Sequence, residues 1–208
     1  MGGVFMIKGI KRVGVCFLVV IFLWGCTVVA DRQRLNRELI RLHIVANSDS
    51  QEDQWRKLLV RDAVVEYLGE ELKRVTDVGH ARAYIQEKLP QLKNLVEKTL
   101  YLAGSEETVE ISLEEEAFER RDYDTFSLPA GVYEALRIVI GDGCGENWWC
   151  VVFPGLCVPA TTDGFDAVAV GAGFSKPLTG ALRREERYTV RFWVLDALGR
   201  MEICWLKP

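Results

Sequence analysis

Leu39-Ile40-Arg41-Leu42-His43-Ile44-Val45-Ala46 is a β-branched, partly alternating run that ends at the turn-forming cluster Asn47-Ser48-Asp49-Ser50. The run predicts a strand, and the polar cluster predicts a turn into a new element. That element is helical. Ser50 followed three residues later by Asp53 is a capping arrangement, and Trp55, Leu58, Leu59, Val65, Leu68, Leu72 and Val75 then recur at three-to-four spacing. Asp77 is placed to cap a second helix, striped by Ala81, Tyr84, Ile85, Leu89, Leu92, Leu95, Val96 and Leu100, with Pro90 expected to kink or divide it.

After Ala103-Gly104-Ser105 the period changes from helical to alternating: Val109, Ile111 and Leu113 face one way, Glu110, Ser112 and Glu114 the other. Further strands are predicted at about 120–127, 133–140 and 147–153, with a turn around Pro129-Ala130-Gly131. The connection Gly141-Asp142-Gly143-Cys144-Gly145 joins the last two as an antiparallel hairpin. Residues 159–180, rich in Gly, Ala and Thr, read as a long exposed loop. Val190, Phe192 and Val194 alternate, but the residues after them fit a helix equally well, so the last element stays open. This order predicts an α+β fold, an antiparallel β-sheet with two or three helices packed on one face.

An N-terminal signal or anchor helix precedes it. Lys8, Lys11 and Arg12 come before the uncharged stretch Val13 to Ala30, and Asp31 is the first acid. Val28 and Ala30 have the small-residue spacing of a cleavage site before Asp31. A retained anchor and lipidation at Cys26 are the alternatives, because 18 apolar residues lie at the short edge of a bilayer span. The organisation is thus a signal peptide or membrane anchor at 1–30, an α+β domain at 31–158, and at 159–208 a loop with a C-terminal element packing on that domain. Residues 31–208 carry 23 basic and 30 acidic side chains, a net charge of −7, which argues against nucleic acid and anionic lipid as partners.

Four cysteines fall outside the export segment: Cys144, Cys150, Cys157 and Cys204. Beyond the cytoplasm such a set is oxidised more often than metal-bound, and no Cys-x-x-Cys pair occurs. Three connectivities are open. The Pro154-Gly155 turn makes Cys150 and Cys157 the disulfide candidates, a small loop contributing about 2–3 kcal/mol.

The chain contains two histidines, His43 and His80. His43, inside an apolar run, reads as a structural histidine at the core edge, and His80 as exposed. No Gly-x-Ser-x-Gly, His-Glu-x-x-His or phosphate-loop motif is present, so no catalytic residue, metal ligand or cofactor is assigned. The rival reading is an extracytoplasmic hydrolase acting on peptide or cell-wall glycan, using His43 with a cysteine, or a carboxylate pair drawn from Glu106-Glu107 and Glu114-Glu115-Glu116. Trp148 and Trp149 are strand neighbours and must point to opposite faces, so one of them needs cover from another element or a partner.

The run Leu39 to Ser50, the block Leu128-Pro129-Ala130-Gly131-Val132-Tyr133-Glu134-Ala135-Leu136-Arg137-Ile138-Val139-Ile140-Gly141 and the stretch Asn147-Trp148-Trp149-Cys150-Val151-Val152-Phe153-Pro154, closing at Leu156-Cys157, together resemble the stage II sporulation protein R family. The resemblance covers about residues 35–157. It implies a signalling protein secreted across the forespore membrane into the intermembrane space, or held there by its anchor. Its implied partner is a membrane-embedded aspartic protease that processes pro-sigma-E in the mother cell, and its N-terminal segment would contact the membrane during export. Candidate partner-binding residues are Asn47, Ser48, Asp49, Tyr133, Asn147, Trp148 and Trp149.

Overall fold

A computed structural model of the chain describes residues 2–123, 126–154, 174, 176–183 and 190–206, with side chains from residue 12 to 205. The elements are α1 (Gly2–Glu38), β1 (Ile40–Val45), α2 (Gln51–Leu72), α3 (Val78–Leu102), β2 (Val109–Phe118), β3 (Arg121–Asp122), β4 (Ser127–Leu128), β5 (Gly131–Ile140), β6 (Asn147–Phe153), α4 (Lys176–Leu182) and α5 (Val190–Leu206).

All six residues of β1 are buried, and the strand lies inside the sheet, whose order is β2-β5-β1-β6. A short strand covered on both faces is what a near-continuous apolar run provides. β1 runs parallel to β5 (Leu42 opposite Leu136) and antiparallel to β6 (Leu42 opposite Cys150). β2 pairs antiparallel with the outer side of β5. The α+β class stands, with three departures in detail, the third being that helices cover both faces of the sheet and not one. One of the three ladders is parallel, and β5 and β6 do not form the expected hairpin, because β1 is inserted between them. Local alternation cannot reveal a strand that arrives from about 90 residues upstream.

Helices cover both faces of the sheet. On the first, Ile40, Leu42 and Ile44 of β1 meet Val60, Val64 and Leu68 of α2 and Ile85, Leu92 and Val96 of α3. On the second, Val28 and Leu35 of α1, Leu178 of α4, and Phe192 and Leu195 of α5 pack on Phe118, Tyr133 and Val151. Alternation along every strand feeds both cores, since successive side chains face opposite ways.

Both predicted caps form: Ser50 Oγ accepts from the Asp53 N–H, and an Asp77 carboxylate oxygen from the His80 N–H. The buried stripe of α2 is phased differently from the expectation. Val60, Val64, Leu68 and Leu72 face inward, whereas Trp55 is 52% exposed, because the inward face opens with the polar Asp53 and Lys57. α3 is one helix through Pro90, whose ring sits on the exposed side, where water can solvate the carbonyl it leaves without a donor. In place of one strand at 120–127, Arg121–Asp122 and Ser127–Leu128 pair as a separate ribbon, β3 with β4. Of the expected 159–180 loop, 159–173 and 175 lie outside the described residues, while Lys176–Leu182 is helical and buries Leu178, Ala181 and Leu182. The open C-terminal element is the helix α5.

α1 runs unbroken across the expected boundary at residue 30. Asp31 pairs with Arg191, and Arg32 pairs with Glu202 and donates to the Leu195 carbonyl at 3.2 Å. α5 in turn touches the turn before β5: the Asp196 carboxylate accepts from the Ala130 N–H at 2.9 Å. A Cβ placed on Gly199 would lie 1.6 Å from the Ala130 carbonyl oxygen, so backbone meets backbone there. Gly199→Ala should therefore force α5 away from this turn and destabilise the chain by about 1–3 kcal/mol or more, read from its denaturant midpoint.

Candidate functional site

Two connections close over one end of the sheet, Asn47–Ser50 between β1 and α2 and Gly141–Glu146 between β5 and β6. The second must cross the end of β1, and it does so in contact. The N–H groups of Cys144 and Gly145 donate to the carbonyls of Asn47 (3.1 Å) and Ala46 (2.9 Å). The Asp142 N–H donates to Asn47 Oδ1 at 3.0 Å, and the Glu146 N–H to Asp49 Oδ1 at 2.7 Å. Only a glycine fits at 145, where a Cβ would stand 2.3 Å from the Ser48 carbonyl oxygen.

α2 locks both turns from below. Asn47 Nδ2 and the Ser48 hydroxyl donate to Asp53 Oδ2 at 3.0 and 2.6 Å, and Arg56 donates to Asp53 Oδ1 at 3.1 Å. Those bonds, Ser48 first and Asn47 next, hold the Asp53 carboxyl below its usual range. Lys57, 4% exposed, donates to Gln54 Oε1 at 2.5 Å and to the Glu146 carbonyl at 2.8 Å. Burial pushes the Lys57 ammonium below its ordinary value, and the charges of Glu146 and Asp49 oppose that. The result is one cross-tied ridge presenting Asp49, Asp142, Cys144 and Glu146 to solvent.

Beneath the ridge, on the second face of the sheet, His43 of β1 is 5% exposed. Its ring stacks on Trp149 at a centroid distance of 3.6 Å. Nδ1 lies 2.8 and 2.9 Å from the two carboxylate oxygens of Glu116, and Nε2 lies 2.7 Å from Asn147 Oδ1. Both ring nitrogens are thus engaged in tying β1 to β2 and β6. One residue pair back along the same face, Arg41 is fully buried, with its guanidinium 3.9 Å from the Phe118 ring centroid and Nη2 donating to the Tyr123 hydroxyl at 3.0 Å. Among the described residues its Nε and Nη1 have no hydrogen-bond partner, and the aromatic ring faces offset this cation.

The structure brings Asn47, Ser48, Asp49, Asn147, Trp148 and Trp149 to this one end. Trp149 packs with the second core; Trp148 packs beside the first, under Arg61 at 4.4 Å. Each therefore has cover, which a sheet coated on both faces supplies. Tyr133 does not join them: it is 1% exposed, with its hydroxyl donating to the Pro129 carbonyl at 2.8 Å, so it presents no surface to a partner. The geometry does not assemble the pair His43–Cys150 of the hydrolase reading, since Cys150 faces the first core and His43 the second. Glu116 is occupied by His43, and its neighbour Glu115 points to the opposite face. Cys144 and Cys204 carry free thiols; Cys157 lies outside the described residues. Among the described residues no His, Cys, Asp and Glu cluster suits a metal ion.

Sequence reasoning missed Asp53 as the hub of the ridge, Lys57 as its tie, and Glu116 as the partner of His43. A signal existed for Glu116, which has the strand parity of the aromatic Phe118 and so shares its face.

Residues 36–163 match the family model described as stage II sporulation protein R. The chain is also 34% identical over 158 residues to stage II sporulation protein R of Bacillus subtilis (strain 168), covering 71% of this chain and 70% of that protein. No solved structure matches.

Because the bonds from Ser48 and Asn47 hold its folded pKa below that of an ordinary carboxyl, Asp53 contributes stability that is fully present above the ordinary value and is lost as pH falls through the lower folded one. Asp53→Asn should cost about 1–3 kcal/mol at neutral pH and show a smaller loss of stability on acidification, measured by denaturant titration across the acid range.

Proposed function

We propose, from the premise that the chain belongs to the stage II sporulation protein R family, that it is an exported, non-catalytic signal that switches on a membrane-embedded aspartic protease. That protease then removes the pro-sequence of pro-sigma-E in the mother cell. The role in sporulation comes with the family. The protease, its substrate and the secretion across the forespore membrane into the intermembrane space are our reading.

The observation that supports it is the cross-tied ridge. A ligand shifts its partner's equilibrium only by the difference in its affinity for the partner's two states. A contact surface already ordered before binding loses less entropy on docking. Asn47, Ser48, Asp49 and Asn147 sit in or beside that surface, while Trp148 and Trp149 support it from the two cores. The reading needs no cofactor and no nucleic acid, in keeping with the acidic balance of residues 31–208.

α1 includes a segment, Arg12–Glu38, that is long and apolar enough to cross a membrane by length and composition. We favour its retention as an anchor over cleavage. Val28 is fully buried and Asp31 pairs with Arg191, so a cut before Asp31 would break a helix within its packed part.

Co-expression of the exported chain with the candidate protease and its pro-sigma substrate tests the reading. Processing should depend on the chain and fall several-fold with Asp142→Lys and Glu146→Lys, while His43→Gln, if folded, should still signal. Processing by the chain without the protease would refute it. The Cys150–Cys157 disulfide belongs to the same proposal: two of the six cysteines should resist thiol titration of the denatured, unreduced protein. Cys150→Ser should lower stability by about 2–3 kcal/mol.

A further inference from the structure

The C-terminal helix α5 is apolar on two opposite sides. Phe192 and Leu195 are buried in the second core, and Ile203 is buried on the same side of the helix. Val190, Trp193, Ala197, Met201, Cys204 and Trp205 fall, at 3.6 residues per turn, in an outward arc of about 120°. Trp193 is 70% exposed and Trp205 is 90% exposed. The charged side chains of α5 lie outside this arc and are paired: Arg191 with Asp31, Arg200 with Asp196, and Glu202 with Arg32. A helix apolar all round is one that is covered on all sides, by protein or by lipid.

What covers it follows from its neighbour. At the edge of the arc Val194 and Leu198 form, with Phe22, Cys26 and Val29 of α1, an apolar groove of about 550 Å³. The arc is thus continuous with the exposed apolar surface of α1, where Phe22 is 70% and Val29 45% exposed. The ion pairs Asp31–Arg191 and Arg32–Glu202 fasten the two helices together just beyond that apolar stretch. α1 therefore cannot enter a bilayer without bringing the arc of α5 to the surface of that bilayer.

We propose that α5 is an in-plane docking surface for the lipid bilayer, with Trp193 and Trp205 seated at headgroup depth, where amphipathic rings are enriched. This rests on the reading of α1 as a membrane-inserted segment. The net charge of −7 over residues 31–208 makes the attachment apolar and not electrostatic, so it is insensitive to salt. It also sets the height of the signalling ridge, at the far end of β1 and about 20 Å along that strand from its junction with α1.

The test uses the full chain in phosphatidylcholine vesicles, with and without bromine atoms on the acyl chains. The emission lost in a Trp193→Phe, Trp205→Phe variant isolates those two rings, and a Trp24→Phe variant isolates α1. The expected result is that the Trp193 and Trp205 emission is mostly quenched by brominated lipid, weakly by acrylamide in the water, and equally at low and high salt. Quenching by acrylamide and not by bromine overturns the proposal. If Trp24 is quenched by bromine in the same sample, α1 is inserted and only the docking of α5 has failed; if Trp24 is quenched by acrylamide as well, the anchor reading has failed with it. Protection of Trp193 and Trp205 that arises only on adding the protease also overturns it, since the occupant is then a protein. On the unaltered chain, Cys204 should react with an impermeant maleimide several-fold more slowly than Cys144 once in vesicles; equal rates overturn the proposal.

Discussion

Burial of β1 on both faces is the constraint on which the rest of the molecule depends. Ile40, Leu42 and Ile44 enter one core, Arg41 and His43 the other, and the strand is hydrogen-bonded along both edges by β5 and β6. At about 1.5–3 kcal/mol for each fully buried aliphatic side chain, three such residues are a large share of a marginal stability. A buried guanidinium on the same strand would be prohibitive in hydrocarbon alone. Here it faces Phe118 and Tyr133 and reaches the Tyr123 hydroxyl, so the second core is built around a cation and aromatic rings.

From that strand the polar end of the sheet follows. Because β1 is central, the β5–β6 connection must pass over its end, and the turn after β1 has to be shaped to receive it. Asp53 and Lys57 are nearly excluded from solvent, yet each has its bonds made, to the first turn and the second respectively. Buried charges left without partners would cost more than the ridge gains, so the two turns are stable as a unit. His43 repeats the principle one layer down, joining Glu116 and Asn147 under the stacked Trp149.

Those residues also show what can be read from a linear chain. The strand at Leu39–Ala46, the caps Ser50 and Asp77, and the turn at Asn47–Ser50 all rest on local patterns, and all are present. The phase of α2 was not legible from apolar residues, because its inward face begins with Asp53 and Lys57, whose partners lie in turns far along the chain. The pairing of β5 with β1 was hidden for the same reason: the two are joined by a long crossover, so no short turn marks them as neighbours. The ridge residues near Asn47 and Asn147 were legible from their unusual composition, whereas Tyr133, equally unusual, serves the core. Whether an aromatic residue on a strand supports or displays depends on what covers that face, and here α5 supplies the cover.

The fastening of α1 by Arg191 and Glu202 has a consequence for the order in which the molecule comes into being. An early helix is completed by a much later one, across a sequence separation of 160–170 residues. Until the final turns of α5 have left the ribosome, the underside of the sheet, with Phe118, Tyr133 and Arg41, has no lid. A chain truncated near its end would carry its ridge and first core intact, yet remain an adhesive, half-finished body.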